Sequence, residues 1–496
     1  MLFVGTLYGI VSYKYYRQLF LAAIAGLLLG SSLIHPWLWP LVFLGIALTF
    51  YLISQSSTPR QAFLFGWCIG TIKILISLVW FWSTYPLDWL GLEPGVLHML
   101  LLFLYWIPAG MTLGLGMGLV AWFFIKFCKK LPKPLTAIIV SFLRVFAEVL
   151  GAIIFSVYTL GPGSNITLGF SFGHTGYAVV SLGVFKYVAM LGSVYLLGFT
   201  VAFISYLTLT LQWKHKILFV SLIFFLIFFI PAPSNHTPKK GIQVAITETN
   251  FLPDSKTRIT PPFDRQEAYN DLVLYALASQ SDVIVLPEDS RFSGNFMNKD
   301  QVFDFLRFHS KKDVVLVDSM RVDSDEKTVL RAYIYDTASQ QRFEFDKQYL
   351  VPQGEYIPYI YKILISTLGP EDITSRTIAD TKYEPGILQG EEVLGESIPP
   401  ILFCFESVTP FGVFSVKRNE SPFVAHLVSH GWFKREPEIL WNQLDNMLRT
   451  QALFNNIPIV QSSNLNQAKI YWPDGSIEQP ELVAESGYWK LYITNI

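Results

Sequence analysis

Long apolar segments dominate the first half of the chain and constrain its fold more than any other feature. Most of them reach the length of about 20 residues that an α-helix needs to cross a bilayer. A series of this kind is not typical of buried helices in a soluble core. We therefore predict about seven transmembrane helices, one in each of the segments 18–34, 37–54, 62–83, 97–125, 135–156, 185–211 and 217–231. The short apolar run at 2–13 has no basic residue before it, so we do not expect a cleaved signal peptide.

The connections between these segments alternate in charge. Lys and Arg occur before the first segment, between the second and third, after the fourth and after the sixth. The loops at 35–40, 85–95 and 159–176 contain neither. Because loops rich in Lys and Arg stay in the cytoplasm, this pattern predicts the orientation of the chain. Seven crossings then place everything after residue 233 on the extracytoplasmic side.

The two halves of the chain also differ in composition. Residues 1–233 contain 12 Lys or Arg and 3 Asp or Glu, which leaves 25 and 35 of the chain totals of 37 and 38 for residues 234–496. Cys68, Cys128 and Cys404 are too few and too scattered for a disulfide framework or a metal cluster. The sequence has no glycine-rich phosphate loop and no basic stripe, so we expect no cofactor, no metal and no nucleic-acid partner.

The second half alternates short β-rich segments with segments of helical character, which is typical of an α/β fold. The runs at 283–287 and 401–405 are apolar almost without interruption, as central strands are. Pro, Ser and Asn mark a linker between the halves. We predict a membrane domain over 1–233, a linker over 234–240 and a soluble domain over 241–496.

Ionisable residues also occur inside the predicted spans. Arg144 and Glu148 are four residues apart, so they can pair along one helix face. Lys73 lies in another span. Charged groups at membrane depth usually contact a partner or a cavity. A structural ion pair and a substrate-contacting role both remain open for these residues.

Three polar residues stand where strands of the second half are predicted to end. Glu288 ends "VIVLPE", Lys347 follows "RFEF", and Cys404 ends "ILFC". Catalytic groups gather at strand ends in α/β sheets. A thiol becomes a strong nucleophile when a base takes its proton, and an ammonium can stabilise an oxyanion. The three residues form a complete acyl-transfer set, although each one alone has a structural explanation, such as a small core residue for Cys404.

The same residues carry a resemblance to a known family. Glu288 in "LPE", Lys347 before "VPQGEYIP" (351–358) and Cys404 in "CFES" resemble the Glu-Lys-Cys triad of the nitrilase superfamily. A nitrilase-like domain after a block of membrane spans resembles the apolipoprotein N-acyltransferases. The segment "TPRQAFLFGW" (58–67) is also similar to that family's junction between the second and third spans.

The resemblance implies a fold, a reaction and a location. The soluble domain would be a stacked αββα sandwich. A membrane phospholipid would donate an acyl chain to Cys404 as a thioester, and the α-amino group of a lipoprotein's N-terminal diacylglyceryl-cysteine would then take it. Cys404 would be the nucleophile, Glu288 the general base and acid, and Lys347 the oxyanion stabiliser. The protein would act as a monomer in the bacterial cytoplasmic (inner) membrane, with its catalytic domain on the periplasmic side.

Two further carboxylates match the family's site. Glu355, in "GEYIP", matches an additional active-site carboxylate, and Glu406 matches an acid beside the nucleophile. Glu355 could instead cap a turn, and Glu406 could instead pair with a core arginine. The sequence departs from the family's pattern at several positions, among them Ser429 and His430 in "VSHGWF" (428–433), Leu465 and Asn466 in "NLNQ" (464–467), and Leu286, where the family has an aromatic residue before the proline of "LPE".

Two other functions stay open beside lipoprotein N-acylation. A membrane-tethered nitrilase-type amidase would use water instead of an amine to resolve the acyl-enzyme. A catalytically weak homologue would bind lipid or lipoprotein as a scaffold, which the altered segments favour slightly. The segment "YIPYIYKILISTLG" (356–369) is apolar for a soluble surface. It is predicted either as an arm that rests on the membrane beside the site or as an ordinary packed helix.

Overall fold

The structure is a computed structural model, and the predicted linker at 234–240 lies outside the residues that it describes. The described residues are 2–87, 95–128, 130–164, 166–167, 169–233, 241–251, 262–324, 327–368, 383–388, 398–416, 421–433 and 437–496.

The described residues of the first half form helices and connecting loops, with no strand among them. Four of them are long and apolar enough to cross a membrane, over Pro36–Ser54, His98–Cys128, Pro134–Tyr158 and Gly183–Thr210. The chain is therefore a membrane protein, while the number of seven crossings stays a prediction. The helices are α1 (Leu2–Ser31), α2 (Pro40–Ser54), α3 (Pro59–Ser77), α4 (Val96–Phe123), α5 (Lys133–Tyr158), α6 (Gly183–Thr210) and α7 (Trp213–Phe229).

Glycines allow the central helices of this half to approach closely. A Cβ atom built on Gly116 of α4 would lie 2.1 Å from the carbonyl oxygen of Ala147 in α5. One built on Gly114 would lie 2.5 Å from the backbone nitrogen of Thr71 in α3. Small residues at such contacts are how membrane helices gain packing energy, because burial from lipid provides no hydrophobic driving force.

A buried ionic cluster joins α3 and α5. Nη1 of Arg144 lies 3.1 Å from Oε1 of Glu148, so the pairing along one helix face is confirmed. Nζ of Lys73 lies 2.9 Å from the same oxygen. The backbone nitrogen and the hydroxyl of Thr175 also donate to it, each at 3.1 Å. The carboxylate of Glu148 therefore links two helices and the loop before α6.

The second half contains a mixed sheet system flanked by helices. Its helices are α8 (Pro262–Ala278), α9 (Lys299–His309), α10 (Tyr359–Leu368), α11 (Gly412–Val416) and α12 (Glu438–Asn455). Its strands are β1 (Gln243–Thr249), β2 (Val283–Val285), β3 (Val315–Ser324), β4 (Lys327–Asp336), β5 (Gln341–Asp346), β6 (Ile401–Phe403), β7 (Val424–Ser429), β8 (Ile459–Asn464), β9 (Lys469–Tyr471), β10 (Ile477–Glu478), β11 (Glu481–Glu485) and β12 (Trp489–Asn495).

The strands form two layers that meet along one short contact. One layer has the order β11-β12-β1-β2-β3-β4-β5, with β1, β2 and β3 parallel. The other has the order β6-β7-β8-β9-β10, with β6, β7 and β8 parallel. The layers join where the last two residues of β1 pair with the last two of β8.

Alternation along the strands shows that the two layers are stacked face to face. Val244 and Ile246 of β1 belong to the same apolar core as Phe403 of β6, whereas Ala245 packs in a separate core with α8 and α9. Leu402 of β6 packs in a further core with α12. Because successive side chains of a strand point to opposite faces, the order of layers is helix, sheet, sheet, helix. The predicted fold class is confirmed: a multi-pass helical domain followed by an αββα sandwich.

Helix α12 is shared by both halves of the protein. Leu448 and Ala452 on one face pack against the second sheet. Met447 and Leu453 pack in the main core of the first half. The side-chain amide of Gln443 also donates to the carbonyl oxygen of Ser77 in α3, at 2.8 Å. The sandwich therefore packs directly on the membrane helices.

Candidate active site

The three residues predicted to form a catalytic set come together in one cavity. Glu288 follows β2 after two residues, Lys347 follows β5 directly, and Cys404 follows β6 directly. The first two come from one sheet and the cysteine from the other, so the site lies at the edge where the two layers of the sandwich meet. All three side chains line the cavity, together with Glu355.

Lys347 is the most deeply buried of these groups, with 1% of its surface exposed. Its Nζ lies 2.9 Å from Oε1 of Glu288 and 2.7 Å from Oε1 of Glu355. Burial lowers the pKa of Lys347, but the two carboxylates outweigh that effect and raise the pKa well above its usual value. The ammonium is therefore permanently charged. An ammonium has three N–H donors, and two of those of Lys347 go to carboxylates among the described residues, which show no acceptor for the third.

Glu288 is also buried, with 7% of its surface exposed. Burial raises its pKa to about 7, against the opposing effect of Lys347, and the charge of Glu355 adds to the rise. Its second oxygen, Oε2, accepts a hydrogen bond from the backbone nitrogen of Ser429 at 3.1 Å. A carboxyl group whose pKa lies near neutrality can both accept and return a proton, as a general base and acid must.

The carboxylate of Glu355 accepts hydrogen bonds from a side chain and from the backbone. Oε1 accepts from Lys347, and Oε2 accepts from the backbone nitrogen of Val351 at 2.8 Å. The backbone nitrogen of Glu355 donates to the carbonyl oxygen of Val351 at 2.9 Å, which closes the turn. The turn cap is therefore observed, and the same carboxylate contacts the ammonium of Lys347, while a role of Glu355 in an active site stays a prediction.

Cys404 is the first residue of a 3₁₀ turn, Cys404–Val408, at the exit of β6. Burial raises the pKa of its thiol, and the charge of Glu288 raises it further, while Lys347 and the backbone amide of Ser429 act in the opposite direction. The rise in pKa favours the neutral thiol. A thiol in this state needs a base to become a nucleophile.

Glu406 lies under the turn and accepts hydrogen bonds from three backbone amides, and it pairs with no arginine of the part of the chain that the structure describes. Oε1 accepts from Gln348 at 2.7 Å and from Tyr349 at 3.4 Å, and Oε2 accepts from Phe403 at 2.9 Å. Burial raises its pKa, and these hydrogen bonds oppose the rise. The carboxylate thus ties the segment after Lys347 to the turn that carries Cys404, and it fixes their relative position.

The cavity opens to solvent, the empty space in and above it is about 1280 Å³, and it is walled by both halves of the protein. Trp80 and Phe172 from the helical half contact each other with ring centroids 5.1 Å apart. Trp80 also contacts Phe433 from the sandwich, at 5.9 Å. Tyr105 and Leu440 add to the same wall. Sequence analysis did not find this aromatic wall, because no spacing rule links positions about 350 residues apart.

The two segments that depart from the family pattern lie around the site. Ser429 contributes its backbone amide, which any residue other than proline supplies, so the change of side chain leaves this contact intact. His430 is buried with its ring 4.3 Å from that of Trp441, and burial lowers its pKa to about 3, so it is neutral. Leu465 adopts φ = 59°, a left-handed conformation that is unusual for leucine. The carbonyl oxygen of Asn466 accepts from the hydroxyl of Ser463.

The fold and the site together define a class of protein: a membrane protein with an αββα domain that buries a glutamate, a lysine and a cysteine beside an apolar cavity. Its sequence is similar to those of proteins named apolipoprotein N-acyltransferase, which confirms the predicted resemblance. The relative from Rickettsia prowazekii is 21% identical over 90% of this chain and 87% of its own. The relative from Aquifex aeolicus is 25% identical over 62% of this chain and 67% of its own.

Other comparisons are more remote. No protein-family model matches the chain. The crystal structure of a carbon–nitrogen hydrolase from Helicobacter pylori aligns with 51% of this chain and 89% of its own, with 11% identity and a TM-score of 0.34.

Proposed function

We propose that this protein transfers an acyl chain from a membrane phospholipid, through a thioester on Cys404, to the α-amino group of the N-terminal diacylglyceryl-cysteine of a lipoprotein. Phospholipid is the donor and the diacylated lipoprotein is the acceptor. The protein acts as a monomer in the bacterial inner membrane, with the sandwich on the periplasmic side. The names of its relatives support this reaction.

One observation carries the proposal: the cavity that contains Glu288, Lys347 and Cys404 is walled by apolar side chains of the helical half. A soluble amide substrate would not require an apolar wall. An acyl chain would require one, because it leaves the bilayer only for another apolar environment. The same wall favours acyl transfer over the amidase alternative. The convergence of the three polar groups favours an active enzyme over a weak scaffold.

In the first half-reaction, Glu288 accepts the thiol proton and the sulfur of Cys404 attacks the ester carbonyl carbon of the phospholipid. The free N–H of Lys347 donates to the developing oxyanion. The carbon–oxygen bond of the ester breaks, and Glu288 returns the proton to the departing lysophospholipid alkoxide. The acyl chain is then a thioester.

In the second half-reaction, the neutral α-amine of the lipoprotein attacks the thioester carbonyl carbon. Glu288 accepts a proton from the attacking nitrogen, and Lys347 again stabilises the oxyanion. The carbon–sulfur bond breaks, and the proton passes to the thiolate, which restores the resting thiol of Cys404. An apolar wall that excludes water from the loaded site would allow the thioester to wait for a large second substrate.

The test is to incubate the purified protein with phospholipid that carries a labelled acyl chain, without acceptor. Label that hydroxylamine releases should appear on the wild type and on Cys128→Ala, and it should be lost in Cys404→Ala. Addition of a diacylated lipopeptide should move the label to its amine. Label retained by Cys404→Ala would overturn the nucleophile assignment. Release of free fatty acid without transfer would assign the protein to the amidase-type hydrolases.

The orientation has a test of its own. Alkaline phosphatase, which is active only outside the cytoplasm, is fused after residue 240 and, separately, near residue 130. We expect activity from the first fusion and none from the second. The reverse result would contradict both the orientation and the lipoprotein reaction.

A further inference from the structure

A second cavity adjoins the active site at the turn that carries Cys404. It opens to solvent, and the empty space in and above it is about 560 Å³. Phe405, the residue after Cys404, lines both cavities, and so does Pro352. The two spaces therefore meet at these two residues. We call the second space the side cavity.

The walls of the side cavity come from both halves of the protein. One wall consists of described residues between 155 and 170, at the end of α5 and in the loop after it, and the other belongs to the sandwich. The hydroxyl of Tyr356 donates to the carbonyl oxygen of Thr159 at 2.9 Å. The hydroxyl of Ser171 donates to the carbonyl oxygen of Val408. These bonds between the halves hold the two walls together, so the side cavity does not depend on a ligand to form.

The side cavity is polar and uncharged, unlike the apolar wall near Cys404. Its described lining includes the hydroxyl or amide side chains of Ser156, Thr159, Ser164, Thr167, Gln348 and Thr409. No Lys, Arg, His, Asp or Glu is among the described residues that line it. Because phosphate groups are bound most strongly by Arg and Lys, this lining does not favour a phospholipid headgroup. It fits a neutral polar chain such as a peptide, whose amide groups both donate and accept.

Thr409 presents an unused hydroxyl to this space. The backbone nitrogen of Thr409 donates to the carbonyl oxygen of Glu406 at 3.3 Å, but its hydroxyl has no partner among the described residues, and the oxygen keeps accessible surface. A Cβ atom built on Gly169 would lie 3.4 Å from that oxygen, and Gly169 lines the same cavity. The hydroxyl therefore faces the gap between the sandwich and the loop after α5. It can donate one hydrogen bond and accept others, so it can bind a peptide group.

The distance from Cys404 to Thr409 suits the start of a peptide. Cys404 begins the 3₁₀ turn that ends at Val408, and Thr409 follows it. Five steps with a rise of about 2.0 Å place Thr409 roughly 10 Å from Cys404 along the turn. Three residues of extended chain, at about 3.3 Å each, cover the same distance. The second and third residues of an acceptor whose amine attacks at Cys404 therefore come within reach of Thr409.

We propose that the side cavity binds the peptide of the acceptor, with a backbone amide of its second or third residue on the hydroxyl of Thr409. The inference rests on the transfer reaction proposed above and separates the two parts of the acceptor. Its acyl chains lie along the apolar wall, and its peptide passes over Phe405 into the side cavity and on to solvent. Because backbone amides are common to all peptides, one site can accept lipoproteins of different sequence.

The first test compares two acceptors on the full chain in lipid nanodiscs. One is a diacylated lipopeptide, and the other is the amide of diacylglyceryl-cysteine, which has no peptide. Thr409→Val removes the hydroxyl at nearly constant volume, and it should leave the thermal midpoint unchanged because the hydroxyl is unpaired. We expect kcat/KM for the lipopeptide to fall about two- to tenfold, the value of one hydrogen bond, and kcat/KM for the cysteine amide to stay constant. Thr208→Val removes a hydroxyl that donates to the carbonyl oxygen of Ile204 within α6, and it should change neither value.

Three results would overturn the proposal. Equal losses on the two acceptors would show that Thr409 does not contact the peptide. Slower thioester formation in Thr409→Val, measured without acceptor, with unchanged transfer would assign the side cavity to the phospholipid headgroup. An ester in place of the amide between the second and third residues should lower kcat/KM in the wild type more than in Thr409→Val. An equal loss in both proteins would place the hydroxyl away from that amide.

The second test does not require turnover. Cys404→Ala protein is mixed with a diacylated lipopeptide whose third residue carries a photoreactive diazirine, and the crosslinks are mapped by mass spectrometry. We expect crosslinks to residues 405–409 or to the loop after α5, and crosslinks confined to other surfaces would overturn the inference. If the wild type forms no thioester while these crosslinks appear, the proposed reaction fails and the peptide site stands.

Discussion

Replacement of Glu355 by glutamine should move the pH dependence of acyl-enzyme formation toward acid. In the wild type, Glu288 has its pKa raised to about 7, and the charge of Glu355 is one cause. Glu288 accepts the thiol proton only when it is ionised. The rate should therefore rise with pH up to about 7 and become constant above it.

The size of the shift follows from the geometry around Lys347. Nζ of Lys347 lies 2.9 Å from one carboxylate and 2.7 Å from the other, so the two bound oxygens are at most about 5.6 Å apart, the sum of these distances. Two like charges at that separation repel by about 3 kcal/mol at an effective dielectric constant of about 20. This energy corresponds to about 2 pH units. Because the ammonium lies between the two groups, we expect the midpoint to fall by about 1 to 2 pH units.

The assay is single-turnover acylation of the protein by phospholipid, followed by intact mass between pH 5 and pH 9. The midpoint should be near 7 in the wild type and in Glu384→Gln, which neutralises a surface carboxylate paired with Lys327. It should lie clearly below 7 in Glu355→Gln. An unchanged or higher midpoint in Glu355→Gln would refute the argument that Glu355 sets the proton affinity of Glu288. A lower plateau rate with the same midpoint would show that Glu355 only positions Lys347.

Three further predictions concern stability and lipid access. Glu406→Ala leaves two or three buried backbone amides without an acceptor and should lower the free energy of unfolding by about 3 kcal/mol, measured by thermal unfolding in detergent. Gly116→Ala should lower the midpoint of thermal unfolding strongly, because the new methyl group overlaps the backbone of α5. Gly487→Ala should leave the midpoint unchanged, because no atom lies within 4 Å of the position that its methyl group would take. Equal midpoints for the two variants would contradict the close helix contact. The side chain of Ile363 in α10 is 65% exposed, and Ile363→Ser should impair turnover of phospholipid more than turnover of a water-soluble ester. Equal losses on the two substrates would favour an ordinary packed helix.

Sequence patterns predicted the layers of the fold because the patterns are local. Uninterrupted apolar runs such as 283–287 mark strands buried on both faces, and the polar residue after such a run marks the strand end. Glu288 and Cys404 were found in this way. The pairing of Arg144 with Glu148 was also predictable, since it depends only on a spacing of four residues along one helix.

The parts that sequence analysis missed depend on contacts between distant segments. Lys73 joins Glu148 across 75 residues, and no periodicity links the two positions. The backbone amide of Ser429 bonds to Glu288, but a main-chain group leaves no trace in the sequence. The role of Glu406 was likewise not predictable, because its acceptor oxygens serve backbone amides of Gln348 and Phe403 and not an arginine.

The position of α12 after α1 to α7 and after Cys404 in the chain has a consequence for biogenesis. A nascent chain that has reached residue 437 already contains α1 to α7 and the cysteine at 404. It lacks α12, whose two faces join the helices to the sandwich, and it lacks β8, which pairs with both β7 and β1. Such a chain contains Cys404 but has neither a closed sandwich nor a complete wall around the cavity. Synthesis of α12 and β8 must therefore precede the packing of the sandwich on the membrane helices.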